Sequence, residues 1–123
     1  MTDDEITEEH IALMKDVLIQ HVPHARALGM NVVNAKRSEA WLSVPYDEKL
    51  VGNPETGLLH VGVITSLLNN ACGIAVQLAL PARTSLATLD LRLDYIQPAT
   101  PILAPTAHTL FSYHTTLLHF VRV

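Results

Sequence analysis

The chain has 123 residues, 49% of them hydrophobic and 16% charged, with a net charge of -4 and a mean hydropathy of +0.25. This composition belongs to one compact domain with room for a core, not to a disordered segment. No Lys/Arg block is present, which argues against nucleic acid as the main partner. The acidic N-terminus does not read as a signal or transit peptide, and a single cysteine, Cys72, leaves no internal disulfide; both fit a cytoplasmic protein.

In chain order, Thr2, Asp3 and Asp4 offer caps for a first helix over residues 1–23, with Glu5, Glu8 and Glu9 at its positive end. Ile6, Leu13, Val17 and Leu18 mark its apolar side, and Pro23 is expected to close it before a short turn over 24–29. Met30–Ala35 and Glu39–Val44 then read as a hairpin about Lys36-Arg37-Ser38, with Ala40, Leu42 and Val44 on one face and Glu39, Trp41 and Ser43 on the other. Asp47 to Thr56 reads as a loop, the kind of segment that holds functional residues.

A long uncharged run organises the rest of the chain. From Thr56 to Ala82 no Asp, Glu, Lys or Arg occurs, a run of 27 residues. Leu67, Leu68, Ala71, Ala75, Val76 and Ala79 recur at helical spacing, and the opposite side is not strongly polar, so the expectation is a helix buried nearly all round. Gly73 costs a helix about 1 kcal/mol against Ala, which points to close packing there. The run has the length of a membrane span, but His60, Thr65, Ser66, Asn69, Asn70 and Gln77 interrupt it and no basic cluster flanks it, so a membrane is not expected. Cys72 in this run reads as inert core.

Ala87, Leu89, Leu91, Leu93 and Tyr95 alternate with Thr88, Asp90, Arg92 and Asp94, a period-2 pattern that predicts a strand with Leu91 buried under the helix. The tail, residues 102–123, is expected to add two strands, although Pro105 sits where a ladder would run. His108, His114 and His119 have no metal-ligand spacing and no carboxylate near them in sequence, so no metal and no cofactor is expected.

This order gives an α+β domain, an antiparallel sheet wrapped around one long central helix. The run NPETGLLHVGVITSLLNNACGIAV, followed by TLDLRLDYIQPATP, resembles the hotdog-fold acyl-CoA thioesterases of the PaaI type, over about Pro23 to Pro101. The resemblance implies a single hotdog domain over 1–123, a homodimer or a tetramer of dimers, and active sites at the subunit interface. It implies an acyl-CoA substrate whose thioester carbonyl is polarised by backbone N–H groups at the helix start, with a carboxylate two turns on as nucleophile or base. Here His60, Val61 and Gly62 occupy the family's His-Gly-Gly, Asn69 the carboxylate position, Thr88 a hydroxyl position that can bind the attacking water, and Asn53 a loop asparagine.

Three departures matter. Asn69 is an amide and cannot titrate, though it can orient a water. Val61 replaces a glycine. The chain ends at Val123, about where relatives are still in their penultimate strand, so a sheet lacking its last strand and a naturally divergent one both stand. Structural roles stand beside each functional one: Asn69 and Asn70 as bridges to backbone groups, His60 as a local hydrogen-bonder. Glu55, the carboxylate nearest the helix start, is either a substitute base or a solvated loop residue. Two function classes remain, a thioester hydrolase and a catalytically silent hotdog subunit that binds acyl-CoA or serves as a structural partner. A hotdog dehydratase is disfavoured, since no His plus acidic pair has that arrangement.

Overall fold

The computed structural model describes residues 9, 12–13, 15–80, 87–88, 90–96, 106–111 and 117–122, without the side chains of 106, 110–111 and 117–122. Its elements in order are a π-helical segment Lys15–Gln20, helix α1 (Pro23–Leu28), strands β1 (Asn31–Lys36) and β2 (Glu39–Ser43), a 3-10 turn Glu48–Leu50, short strands β3 (Val51–Asn53) and β4 (Leu58–Leu59), helix α2 (Val61–Ala79), and strands β5 (Thr106–Phe111) and β6 (Leu117–Arg122). The long strands make one antiparallel sheet in the order β1-β2-β5-β6, and β3-β4 form a separate ribbon.

The hairpin forms as the alternation predicts. Ala40, Leu42 and Val44 are fully buried, while Glu39, Trp41 and Ser43 are half-buried on the outer face. Ser38 turns the hairpin at φ 64. Of the expected first helix, residues 9, 12 and 13 are helical and Lys15–Gln20 is π-helical, while its closure at Pro23 and the turn over 24–29 need correction. Proline at a first helical position fits the helix start, because its missing N–H would have no partner there. Pro23 therefore opens α1 instead of ending a helix, and Gly29 closes it in the left-handed region at φ 72. Leu13 is exposed and Ile19 is the buried anchor of the preceding segment. Ile6 lies outside the described residues. The loop expected over 47–56 carries the 3-10 turn and β3.

Helix α2 lies on β2 and β5. It buries Val63, Ile64, Leu67, Leu68, Ala71, Cys72, Ile74 and Ala75. Thr109 of β5 is fully buried and donates its hydroxyl to Ala71 O at 2.9 Å and more loosely to Ala40 O at 3.4 Å, tying helix to sheet. Among the described residues α2 alone is long and apolar enough to cross a membrane; here one side of it is the domain core. The expectation of burial all round fails, since Val61 and Asn69 are exposed and Gly62, Thr65, Ser66, Asn70 and Gly73 are only half-buried. The sheet covers one face and leaves the other open. Among the described residues Gly73 is not a close-approach glycine either, because a Cβ there would meet none of their atoms within 4 Å.

The predicted strand over 87–95 is not formed in its described part, residues 87–88 and 90–95. Alternation prescribes an extended chain, but a strand also needs a neighbour to pair with, and this segment instead bonds to α2 through Thr88 and Tyr95. Leu91 is half-buried, not buried, and Leu93 packs at the core's margin. The Asp-Arg-Asp row is solvated, with Arg92 Nε 3.9 Å from Asp94. Both tail strands are present. On the outer sheet face His108 stacks on Trp41 with centroids 4.4 Å apart, and its Nε2 pairs with Glu39, a carboxylate 69 residues away in sequence. His114 lies outside the described residues, as does the side chain of His119.

Candidate active site

The start of α2 is built around His60. Its backbone N–H donates to Leu50 O at 2.9 Å, and β3 passes so close that a Cβ on Gly52 would meet His60 Cα at 2.8 Å. Only glycine permits that approach. His60 caps the helix, its Nδ1 accepting from Gly62 N–H at 2.9 Å. A side chain at Gly62 would meet that Nδ1 at 2.9 Å, so glycine is needed to admit the ring. The first-turn N–H expected to polarise a carbonyl is therefore held by the His60 imidazole in the free protein. Val61 stands beside it, 55% exposed.

The open face of α2 carries a stripe. At 3.6 residues per turn, Thr65, Gly62, Ser66 and Asn69 fall within about 100° of one another. Each polar side chain on it is engaged. Asn69 Oδ1 accepts from Thr88 Oγ1 at 2.7 Å, bringing together two of the residues that the resemblance singles out. Thr65 shares a 2.8 Å bond with Tyr95 Oη and donates more weakly to Val61 O. Ser66 Oγ lies 2.8 Å from His24 Nε2 on α1. Asn70 is spent on structure, donating to Ser66 O at 2.9 Å.

Asn53 and Glu55 do not join this stripe by any described bond. Asn53 Oδ1 accepts from Glu55 N–H and Asn53 O from Thr56 and Gly57 N–H, so Asn53 shapes its own turn. Glu55 is exposed. Gly57 completes the turn at φ 73, its carbonyl accepting from Tyr46 Oη at 2.8 Å. Burial pushes the Cys72 thiol up to about 12, so at neutral pH it is a protonated core group and no nucleophile. Sequence reasoning missed His24, Ser66, Thr65 and Tyr95. Ser66 could have been found from its place one turn after Gly62; nothing local marks His24.

One long helix lying on an antiparallel sheet, with a polar stripe on its open face, defines an α+β domain of the hotdog class. A family model described as the thioesterase superfamily matches residues 56–120. Over 104 residues the chain is 30% identical to the medium/long-chain acyl-CoA thioesterase YigI of Escherichia coli, covering 74% of this chain and 67% of that protein. It is 40% identical over 75 residues to a protein of Halobacterium salinarum, covering 58% of this chain and only 50% of that relative's length. The chain belongs to the thioesterase superfamily. Among solved structures, a Pseudomonas aeruginosa protein superposes with a TM-score of 0.70 at 31% identity, covering 86% of this chain and 83% of that one. A mutant of the phenylacetic acid degradation protein PaaI from Thermus thermophilus gives 0.64 at 19% identity, over 80% and 86%, a likeness of fold.

Proposed function

We propose that the chain hydrolyses acyl-CoA thioesters on the open face of α2. The observation that carries this is the joint placement of Gly62 at the helix start and the Asn69–Thr88 pair two turns on, on one uncovered stripe. A helix start is the positive pole of the aligned peptide dipoles and favours charge developing on a carbonyl oxygen. The thioester oxygen takes the Gly62 N–H from His60 Nδ1, and Val61 and Thr88 border the bound group. Asn69 orients rather than deprotonates. Medium- and long-chain acyl groups are the first substrates to test, since YigI bears them in its name.

The protein acts as a soluble, cytoplasmic homodimer or tetramer of dimers in this reading. The open stripe has exposed Val61, Tyr95 and Ile96 near it or on the segment bonded to it, apolar surface that a second copy can cover. A silent subunit is the second reading, favoured by the amide at Asn69. The test is release of free thiol from acetyl-, decanoyl-, palmitoyl- and benzoyl-CoA, beside calorimetric binding of coenzyme A. Turnover above the uncatalysed rate supports the hydrolase; binding without turnover supports the silent subunit.

A further inference from the structure

We infer that His24 and Ser66 form the base and nucleophile of the thioester site, in place of the carboxylate that Asn69 lacks. This rests on the hydrolase reading above. The pair comes from two helices and 42 residues of separation, with Ser66 Oγ 2.8 Å from His24 Nε2. Nucleophile and base within hydrogen-bond reach is the arrangement that covalent hydrolysis requires. Ser66 stands four residues past Gly62, about 40° round the helix and about 6 Å along it. Helical side chains lean toward the N-terminus, so its Oγ leans toward the helix start where the carbonyl oxygen is held.

Elimination points the same way. Among the described hydrogen-bonded groups on and around the stripe, Thr65, Asn69, Thr88 and Tyr95 offer hydroxyls or an amide and no imidazole. His60 caps the helix start through Nδ1 and has no described bond to a hydroxyl of the stripe, whereas the His24 ring already lies within hydrogen-bond reach of Ser66. The bond is also not needed to dock α1, which is anchored by the fully buried Ala25, whose carbonyl accepts from Met30 N–H. An exposed hydrogen bond of this kind contributes little to stability.

The steps balance. Ser66 Oγ attacks the thioester carbonyl carbon as its proton passes to His24 Nε2. The tetrahedral intermediate collapses with loss of the C–S bond, and the proton moves from His24 to the leaving thiolate, giving free coenzyme A and an ester on Ser66. Water then loses a proton to His24 and attacks that ester. Ser66 Oγ departs and recovers the proton, and the fatty acid is released.

Wild type, Ser66→Ala, Ser66→Cys and His24→Ala would be compared on decanoyl-CoA, with circular dichroism as the folding control. Rapidly quenched wild type should carry the acyl mass on the peptide containing Ser66. Ser66→Ala should lose that adduct and at least about 100-fold in kcat; Ser66→Cys should keep an adduct as a thioester; His24→Ala should slow both phases. Ser66→Ala combined with Asn69→Asp should regain turnover without an adduct, which excludes a folding defect. If wild type turns over and Ser66→Ala matches it, the pair is a structural tie and this inference fails alone. If wild type hydrolyses none of the four acyl-CoAs, the hydrolase reading fails and takes this one with it.

Discussion

Replacing Asn69 by Asp should raise the hydrolysis rate. The change swaps one amide nitrogen for oxygen on an exposed side chain, so the new carboxylate ionises in contact with water and carries little desolvation cost. The sequence alone suggests a partly buried position and some loss of stability; the exposed geometry removes that expectation. Asn and Asp have similar helix propensity, and position 69 is far enough from both ends of α2 to feel little dipole. Stability should therefore change by less than about 0.5 kcal/mol. Thr88 Oγ1, 2.7 Å from Oδ1 of Asn69, keeps its acceptor and gains a charged one. The second oxygen is free to take a proton from water, and Gly62 at the positive end is seven residues away, about two turns on the same face. General-base assistance is worth about 10²–10⁴ in rate. The gain should fall at the low end if Ser66 and His24 already work, and at the high end in the Ser66→Ala background. The assay is thiol release on short-chain, long-chain and aryl acyl-CoAs. A variant that folds, binds coenzyme A and hydrolyses no faster would refute the placement of the site.

The packing of the core sets further outcomes. Leu68→Ala, at a buried position of α2, should cost about 2–5 kcal/mol in urea melts; a loss under about 0.5 kcal/mol would mean that α2 is not the core element. Thr109→Val keeps the shape but removes the hydroxyl to Ala71 O, and should cost about 1 kcal/mol, whereas a more stable variant would show that bond to be idle. Cys72 has a folded pKa raised to about 12, so its share of stability is complete below the unfolded thiol's value of about 9 and is lost as pH climbs from there toward 12. Urea midpoints of wild type should thus fall faster above about pH 9 than those of Cys72→Ala, and equal slopes would contradict the burial. Light scattering at micromolar concentration should give a dimer or tetramer mass; a clean monomer would remove the second copy from the account.

What the sequence made legible was set by local patterning. Ala40, Leu42 and Val44 declared their face because a strand's period is two and the core lies on one side. The long uncharged run located α2, yet lack of charge did not mean lack of solvent: Thr65, Ser66 and Asn69, read only as interruptions of an apolar run, lie on the stripe that the sheet leaves open. The misreadings share a cause. Pro23 ends one segment or starts another with equal economy, and only the packing of Ala25 decides. The alternation of 87–95 fixes an extended preference without supplying a neighbour to pair with. The helical cost of Gly73 points to tight packing, yet no atom of the described residues comes within 4 Å of a Cβ placed there. Contacts across 42 and 69 residues, His24 with Ser66 and His108 with Glu39, have no local signal at all.

The proposed site places a thioester on the open stripe of α2 with its carbonyl at the helix start. The most direct measurement is a crystal structure with a thioether analogue of decanoyl-CoA that carries a ketone in place of the thioester carbonyl. The ketone oxygen should lie within hydrogen-bond distance of a first-turn N–H of α2, with the His60 ring displaced from Gly62 and the carbonyl carbon facing Ser66 and Asn69. An analogue bound on the outer sheet face by Trp41 and His108, with His60 still capping Gly62, would contradict it.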